Sequence, residues 1–540
     1  MKRLSLLLLL LTAAALTGGR SAGVSAKNNN SGRPRLIVNI VVSGLRPTDL
    51  ELYEEGFGKG GFRRLMEGTY YPYAYYPFTP NKPAALATLT TGALPSLHGV
   101  VGEGWWNYTT GDYAPAVGDN AYSTFDTDAK DSRVANTNLI LETLGDVVVG
   151  SIEGARSVSV ATDAESAIIL GGLHPSEVWW FDPLGGNWTT STRYANSLPK
   201  WVRNFNRSAF WRSSYGAPWI LSRGNDGYVH SKSSVAKPHG YKLSKEEKRH
   251  IYTAADVVAL GHTHTINDVV AQFAKEAIIY NRLGFDASTD VLNVCFDSPL
   301  RIAQRYGLSS REVEDMYYRL DESIADLLTF ASAQASGHLV VCLVGDGGCR
   351  EVEPTASKVF NTAQARFLIN SFLSATYGKD EWVLGYKNGG IWLNHTLIFS
   401  RGLELPVVQS QVAAFALQLR GVSHAITASD MMEGGVKEGL VEIAQRGFYP
   451  KRSADVTFVL MPDWCESGGE EETPTISQSL PYAPYRRTMI ALCGEGVEAG
   501  QRNASKVDVR SLVVTLSEIA GVDVPLGAEF EPLEGSRSDR

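Results

Sequence analysis

The chain has 540 residues and a formal net charge of −8 at neutral pH. Hydrophobic residues make up 44% and charged residues 20% of it, which is typical of a globular protein that buries a core. The net negative charge gives no reason to expect nucleic-acid binding. The length allows one large domain with insertions, or two to three ordinary domains.

The first 26 residues have the pattern of a signal peptide. Lys2 and Arg3 precede an apolar run over 4–16, and small residues follow up to Ala26. The apolar run is too short to predict a membrane-spanning helix. We therefore predict an exported mature chain over 27–540, periplasmic, at the cell surface or secreted, with no transmembrane segment after cleavage.

Short, β-branched apolar runs alternate with helical segments along the mature chain. The predicted strands are Leu36–Val42, Ser157–Ala161, Val291–Phe296, Leu339–Val344, Val456–Leu460 and Met489–Leu492. The predicted helices are Gly61–Glu67, Pro83–Thr91, Ser310–Ala333, Thr362–Thr376, Pro406–Leu419 and Val509–Ile519. Buried strands that alternate with helices predict an α/β fold whose mostly parallel sheet is covered on both faces.

Two segments interrupt this alternation. Residues 170–275 carry six tryptophans among Gly, Pro, Ser and Asn, and we interpret them as an inserted, Trp-rich cap. Residues 379–448 form a second predicted insertion, after which the chain returns to the sheet. Because Trp and Tyr dominate the energetics of protein interfaces, the cap is the predicted surface for a protein partner in the cell envelope.

Five cysteines leave at least one thiol unpaired. Cys295, Cys342 and Cys493 lie in strand-like apolar runs, which predicts buried thiols. Cys349 and Cys465 could form a disulfide, and the sequence does not decide this.

Several short motifs carry a family resemblance. Thr91-Gly92 opens a Thr-Gly-x-x-Pro-x-x-His-Gly pattern within 78–100, and further pieces are Pro34-Arg-Leu-Ile-Val, Gly345-Asp-Gly-Gly and Trp392-Leu-Asn-His395. In this order and spacing they resemble the alkaline phosphatase superfamily, in its nucleotide pyrophosphatase and single-threonine phosphomonoesterase branch. The resemblance covers most of the mature chain and implies an alkaline-phosphatase-like sheet flanked by helices.

The resemblance places Lys82 at the position of the catalytic nucleophile. In that family a threonine attacks phosphorus nine residues before the Thr-Gly pair, and an ammonium cannot form a phosphoenzyme by this chemistry. A shifted alignment would offer Thr79, Thr88 or Thr90 instead. Thr79 would need a three-residue insertion, and the other two lie away from the helix N-terminus, where anions bind.

The family's chemistry uses two zinc ions, and the resemblance carries their ligand positions onto this chain. Among these positions only an aspartate keeps a suitable donor, and zinc normally takes three or four protein ligands. We therefore expect no metal cofactor. The six former ligand positions are Ser43, Leu300, Gln304, Asp346, Gly347 and Gln478.

The groups that would grip phosphate also differ from the family pattern. Glu103 stands where the family has an asparagine, and Asp163 and Glu165 stand where it has a Lys-x-Arg pair. Carboxylates at these positions would repel a phosphate dianion. We predict a salt bridge between Lys82 and Asp346, in which the ammonium replaces the charge of the metal, with Asp163, Glu165 and Glu103 as alternative partners.

These changes predict a catalytically inactive alkaline-phosphatase-fold protein that acts as an exported binding or scaffolding component. The first alternative is a metal-dependent phosphomonoesterase or phosphodiesterase with altered ligands. The second is a small-ligand binding protein whose pocket has become acidic.

Overall fold

The computed structural model describes residues 32–537 apart from 128–131, 183, 216, 218, 232–259, 353–357, 434, 436–437 and 469–473. The predicted signal peptide and part of the predicted Trp-rich cap lie outside the described residues. Within these described ranges, no helix is both long and apolar enough to cross a membrane.

Strands and helices follow one another closely along the described chain. The strands are β1 (Leu36–Val42), β2 (Thr69–Tyr75), β3 (Gly104–Trp106), β4 (Tyr113–Pro115), β5 (Ser157–Ala161), β6 (Glu177–Asp182), β7 (Asn187–Thr189), β8 (Asp290–Phe296), β9 (Leu339–Gly345), β10 (Cys349–Glu351), β11 (Val359–Asn361), β12 (Val383–Lys387), β13 (Gly390–Leu393), β14 (Val422–Thr427), β15 (Val456–Leu460), β16 (Cys465–Ser467), β17 (Ile476–Gln478), β18 (Arg487–Gly494), β19 (Gln501–Arg502) and β20 (Val507–Asp508). The α-helices are α1 (Pro47–Tyr53), α2 (Phe62–Met66), α3 (Lys82–Thr91), α4 (Pro95–His98), α5 (Leu144–Ser151), α6 (Ala164–Gly171), α7 (Lys200–Ser208), α8 (Thr265–Asn281), α9 (Ser298–Tyr306), α10 (Arg311–Gln334), α11 (Thr362–Tyr377), α12 (His395–Ser400), α13 (Leu405–Ala416), α14 (Ala428–Met432), α15 (Leu440–Arg446), α16 (Ala483–Arg486) and α17 (Ser511–Ala520).

The largest sheet of the described chain has ten strands in the order β19-β2-β18-β9-β1-β8-β5-β6-β7, with β20 also paired to β2. Strands β9, β1, β8, β5 and β6 run parallel, whereas β18 pairs antiparallel with both β9 and β2. This is a mixed, mostly parallel sheet, so the predicted α/β fold class is confirmed.

Both faces of the central strands are buried under helices. Along β1, Val38 and Ile40 join one hydrophobic core with α8 and α10, whereas Ile37 and Val41 join a second core with α3, α5, α6 and α17. Alternate residues of a strand point to opposite faces, so each face needs its own helical layer. This is why β1 is apolar at every position except Asn39.

The Trp-rich segment is present, but its first tryptophans belong to the main sheet. Trp188 on β7 stacks on Phe273 of α8 with ring centroids 3.8 Å apart, and Trp179 on β6 packs edge-on against Trp201 of α7. Most of these tryptophans are core residues and are therefore not available as a contact surface, whereas a protein partner for the segment stays a prediction. Those with at most 8% exposure are Trp179, Trp180, Trp188, Trp201 and Trp211.

The second predicted insertion forms a smaller sheet with its own hydrophobic core. Its strand order is β12-β13-β15-β14, and β15 pairs antiparallel with both neighbours. The predicted strand Val456–Leu460 therefore exists but lies in this smaller sheet, and the chain rejoins the main sheet only at β18. The insertion thus extends beyond residue 448, because an apolar run looks the same whichever sheet receives it.

The predicted alternative of a disulfide between Cys349 and Cys465 is not realised. All five cysteines are free and buried, and these two lie on separate short strands, β10 and β16. Burial raises the pKa of the Cys349 thiol to about 12, so this thiol is a core group with little thiolate character.

Candidate functional site

A cavity of about 200 Å³, called here the small cavity, lies at the carboxyl edge of the main sheet. Parallel strands end at the same edge, so the residues that follow β1, β8 and β9 meet there. The cavity is lined by most of the positions that the sequence singles out. These are Ser43, Lys82, Glu103, Leu300, Gln304, Asp346, Gly347 and Gln478.

Lys82 is the first residue of α3 and lines the small cavity. Asn81 caps this helix, since its side-chain oxygen accepts a hydrogen bond from the amide of Ala84 at 3.1 Å. The positive end of the helix dipole disfavours a cation at this position. Lys82 therefore needs compensating negative charge close by.

Lys82 obtains that charge from two carboxylates on neighbouring strand ends. Its Nζ lies 2.7 Å from Oδ2 of Asp163 and 3.2 Å from Oδ1 of Asp297. The predicted salt bridge with Asp346 is wrong: in the described chain the ion pairs of Lys82 are with these other two residues. Asp163, one of the alternative partners in the sequence interpretation, is the nearer of the two.

Asp163 is both an ion-pair partner and a helix cap. Its Oδ1 accepts a hydrogen bond from the amide of Ser166 at 2.8 Å, which caps α6. Its Oδ2 receives Lys82 and the guanidinium of Arg301, at 3.2 Å. Although burial alone would raise the pKa of Asp163, these two cations lower it well below its ordinary value.

Asp297 is the functional-site residue that the sequence interpretation missed. Besides Lys82, its Oδ1 accepts hydrogen bonds from the hydroxyls of Ser43 at 3.1 Å and Ser166 at 3.2 Å, and its Oδ2 accepts from Thr162. Its position directly after a buried parallel strand was the available signal, since such strand ends meet at one edge of the sheet.

Asp346, which follows β9, lies beside this network without a cation of its own. Its Oδ1 accepts a hydrogen bond from the amide of Gly44 at 2.8 Å, and its buried Oδ2 has no hydrogen-bond partner among the described residues. Burial raises the pKa of Asp346 to about 6, and the charge of Asp297 acts in the same direction. The Gly44 amide, the Ser43 hydroxyl and the charge of Lys82 oppose this rise.

The other two carboxylates, at positions where the resemblance implies phosphate-binding groups, form no ion pair with Lys82 among the described residues. Glu103 is half exposed and forms an ion pair of 2.5 Å with Lys387. Burial raises the pKa of Glu165 to about 8, against the opposing effect of Lys82, and the charges of Asp163 and Glu103 raise it further. Neither is the ion-pair partner of Lys82 that the sequence interpretation allowed.

The alternative nucleophiles are not presented to the small cavity. Thr88 Oγ1 lies 3.0 Å from Nε2 of His98, whose Nδ1 accepts the amide of Val100, so the ring donates to Thr88. Burial lowers the pKa of His98 to about 3, which keeps this ring neutral. Thr90 donates to the carbonyl of Leu86 within α3, and Thr79 lines a neighbouring cleft.

That neighbouring cleft, called here the large cleft, has a volume of about 710 Å³ and was not predicted from the sequence. Much of its wall comes from the smaller sheet and from α15, which the second insertion supplies. Its apolar lining includes Trp392, Ile443, Phe448, Phe458 and Trp464. It borders the small cavity through shared residues, which are Asn81, Gln304, Asn388, Gln478 and Ser479.

The sequence profile of the family described as type I phosphodiesterase / nucleotide pyrophosphatase matches residues 37–478. The chain belongs to this family. The alkaline phosphatase PafA of Elizabethkingia meningoseptica is 25% identical over 526 residues, which cover 94% of this chain and 95% of PafA. A protein of Myroides odoratus named calcium-transporting ATPase is 24% identical over 525 residues, with 93% and 94% coverage.

The crystal structure of wild-type PafA superposes with a TM-score of 0.84 at 24% identity. The superposition covers 94% of this chain and 99% of that chain. It shows that this member of the type I phosphodiesterase family has an alkaline-phosphatase-like fold.

The donor groups around the small cavity do not fit the two-zinc centre that the family resemblance implies. Leu300 carries no donor, and its Cδ1 would lie 2.8 Å from a Cβ built on Gly44. Gly347 has φ +139°, and a Cβ there would lie 3.1 Å from Cγ of Pro80. Among the described residues, no three or more His, Cys, Asp or Glu side chains are grouped as metal ligands. Asp346 is thus left without the other ligands that zinc requires.

Proposed function

We propose that this chain is a non-hydrolysing member of the type I phosphodiesterase family that uses its former active site to bind a ligand. The observation that carries the proposal is the state of Lys82. It stands at the nucleophile position of the resemblance, and its ammonium is held by Asp163 and Asp297.

The charged residues around Lys82 support this proposal further. Burial alone would lower the pKa of Lys82. The charges of Asp163, Asp297 and Glu165 oppose this effect and raise the pKa well above its ordinary value. A lysine that stays protonated cannot act as a nucleophile, since attack requires the free amine. The donor set at the former metal positions points in the same direction.

A scaffolding role in the cell envelope remains part of the proposal, but the tryptophans of the cap are no longer its contact surface. The buried tryptophans cannot serve as its contact surface, so we place binding at the small cavity and the large cleft. We also propose that the chain is exported, as its N-terminal sequence predicts. The N-terminus of protein isolated from its native host, read by mass spectrometry, tests this: a start near residue 27 agrees, and an intact Met1 does not.

The second candidate function is a phosphoesterase with altered ligands. It is favoured by the naming of relatives such as PafA as alkaline phosphatases. Under this alternative the chain would bind metal through a donor set that differs from the one the resemblance implies.

One experiment separates the two candidates. The mature chain over 27–540 is assayed with p-nitrophenyl phosphate and bis-p-nitrophenyl phosphate, with and without added zinc, and its metal content is measured by mass spectrometry. PafA, prepared in parallel, is the active control. We expect no turnover above buffer and no bound zinc. Two zinc ions per chain with chelator-sensitive turnover would overturn the proposal and establish the phosphoesterase.

A further inference from the structure

The small cavity and the large cleft adjoin each other through shared lining residues, and together they are called here the joined site, with two chemically different ends. Clefts of roughly 300–1,000 Å³ accommodate small organic ligands, and the large cleft is within that range. The residues that line both volumes include Gln304 and Gln478, whose side chains end in polar amides. A ligand could therefore place its body in one volume and its end group in the other.

The charged residues that line this joined site are unbalanced in favour of carboxylates. Lys82 and Arg301 both form ion pairs with Asp163, which is not one of the lining residues, and Lys387 forms an ion pair with Glu103. The four carboxylates in the lining are Glu103, Asp297, Asp346 and Glu466, against the three cations Lys82, Arg301 and Lys387.

Two of these carboxylates, Asp346 and Glu466, form no ion pair among the described residues. Glu466 accepts a hydrogen bond from Tyr386, whereas Asp346 keeps an oxygen without a partner. Asp346 is 6% exposed and borders the small cavity, and its Oδ2 has no hydrogen-bond partner among the described residues. A buried polar atom without a partner costs free energy. Such an atom on a residue that lines a cavity is the feature that a ligand with a charged donor would satisfy.

The large cleft supplies the complementary apolar contacts. Phe448, Phe458 and Trp464 are each at most 8% exposed and line its wall, and Ile443 of α15 is more accessible. Aromatic rings present a negative face, which tolerates a nearby cation as well as an apolar group.

We propose that the joined site binds an organic cation, namely a protonated amine that pairs with Asp346 and carries an apolar or aromatic body in the large cleft. This inference rests on the proposed function, because a zinc-loaded phosphoesterase site would exclude it. The amine supplies the positive charge that Asp346 lacks, and the body displaces water from the cleft.

An anionic ligand fits the same site poorly. A phosphate in the small cavity would meet Glu103, Asp297 and Asp346. The two cations there, Lys82 and Arg301, already form ion pairs with Asp163. Like charges at a few ångströms repel strongly where water is restricted.

Calorimetric titration of the mature chain with three small probes tests the inference. Tryptamine has the amine and an aromatic body, tryptophol replaces the amine by a hydroxyl, and phenyl phosphate has an anionic end. We expect tryptamine to bind at least about tenfold more tightly than tryptophol, since charge-assisted hydrogen bonds are about twice as strong as neutral ones. Phenyl phosphate should bind more weakly than either.

Two variants and one control identify the residues responsible. Asp346→Asn should abolish the preference for tryptamine over tryptophol, whereas Asp380→Asn, at an exposed ion pair with Arg401, should leave it unchanged. Ile443→Ala should weaken both indole probes by a similar factor, which keeps the inference testable if Asp346→Asn does not fold.

Each remaining outcome counts against the inference. Equal affinities for tryptamine and tryptophol, tighter binding of phenyl phosphate, an undiminished preference in Asp346→Asn, or binding of zinc chloride without binding of tryptamine would overturn it. Release of inorganic phosphate from phenyl phosphate is measured in the same samples. Such release would show that the proposed function has failed, whereas absence of both release and tryptamine binding would reject the cation site alone.

Discussion

The Nζ of Lys82 lies 2.7 Å from Oδ2 of Asp163, and each residue stands at the N-terminal end of a helix. Lys82 opens α3, where its charge opposes the helix dipole, while Asp163 caps α6, where its charge agrees with the dipole. The pair thus joins two helix ends across the carboxyl edge of the sheet. The favourable anion at one end offsets the unfavourable cation at the other.

Removal of the Lys82 charge should destabilise the fold. Lys82→Met keeps most of the side-chain volume but leaves Asp163 and Asp297 without their ammonium, so we expect a loss of about 3 kcal/mol in the free energy of unfolding. Urea denaturation followed by circular dichroism measures it. Lys387→Met, which breaks the more exposed pair with Glu103, is the control and should cost less than about 1 kcal/mol. Equal, small losses in both variants would contradict a structural role for Lys82.

A side chain at position 347 should strain the backbone. Gly347 has φ +139°, which L-residues rarely adopt, and an added Cβ would approach Pro80. We expect Gly347→Ala to lower the free energy of unfolding by about 1–3 kcal/mol. Gly150→Ala is the matched control, since Gly150 lies in α5 with open space around it. There alanine should be neutral or stabilising by about 0.5 kcal/mol. Similar effects at both positions would argue against strain at Gly347.

The ionisation of Asp346 should make stability depend on pH. Burial raises its pKa in the folded protein from 3.8 to about 6, so folding favours the protonated form. The stability that this group contributes is therefore present below pH 3.8 and is lost as the pH rises through about 6. Asp346→Asn removes the effect.

Wild type should consequently lose about 2 kcal/mol relative to Asp346→Asn between pH 4 and pH 7. Urea denaturation of both proteins across that range measures the difference. The stability of Asp380→Asn should change with pH in the same way as that of wild type, since Asp380 is an exposed residue that forms an ion pair with Arg401. Parallel curves for wild type and Asp346→Asn would show that Asp346 has an ordinary pKa.

The tryptophans of the Trp-rich segment should behave as core residues. Trp188 is fully buried and stacks on Phe273, so Trp188→Ala should cost about 3–5 kcal/mol. Ile220→Ala, at a side chain with 72% exposure, should change stability by less than about 0.5 kcal/mol. Thermal unfolding of the two variants beside wild type gives the comparison. A stable Trp188→Ala protein would return this segment to consideration as an interface.

The central strands could be predicted well from the sequence. The predicted bounds of β1 and β5 agree with the observed ones, because strands buried on both faces are mostly apolar and β-branched, interrupted here by Asn39 in β1 and by Ser157 and Ser159 in β5. The same property explains two errors. An apolar run does not say which sheet receives it, as β15 shows, and tryptophans covered on both faces of β6 look no different from exposed ones.

The cavity-lining residues were also predictable, but their pairing was not. Five of the six ligand positions of the resemblance follow β1, β8 or β9, whose ends could be located from the sequence. The sixth, Gln478, ends β17, a strand that the sequence does not predict. The partner of Lys82 depends instead on the strand order, which places β5 beside β8 and brings Asp163 and Asp297 together. Asp297 is not predicted from the sequence, because the family resemblance places the ligand that follows β8 at Leu300.

The backbone at Gly347 limits what could be engineered into this site. A histidine placed there would enter a conformation suited to glycine, and its Cβ would lie 3.1 Å from Cγ of Pro80. Leu300 would also have to be exchanged for a residue with a donor, although its side chain packs against Gly44. A designed zinc centre would therefore need a new backbone conformation at position 347 as well as new side chains.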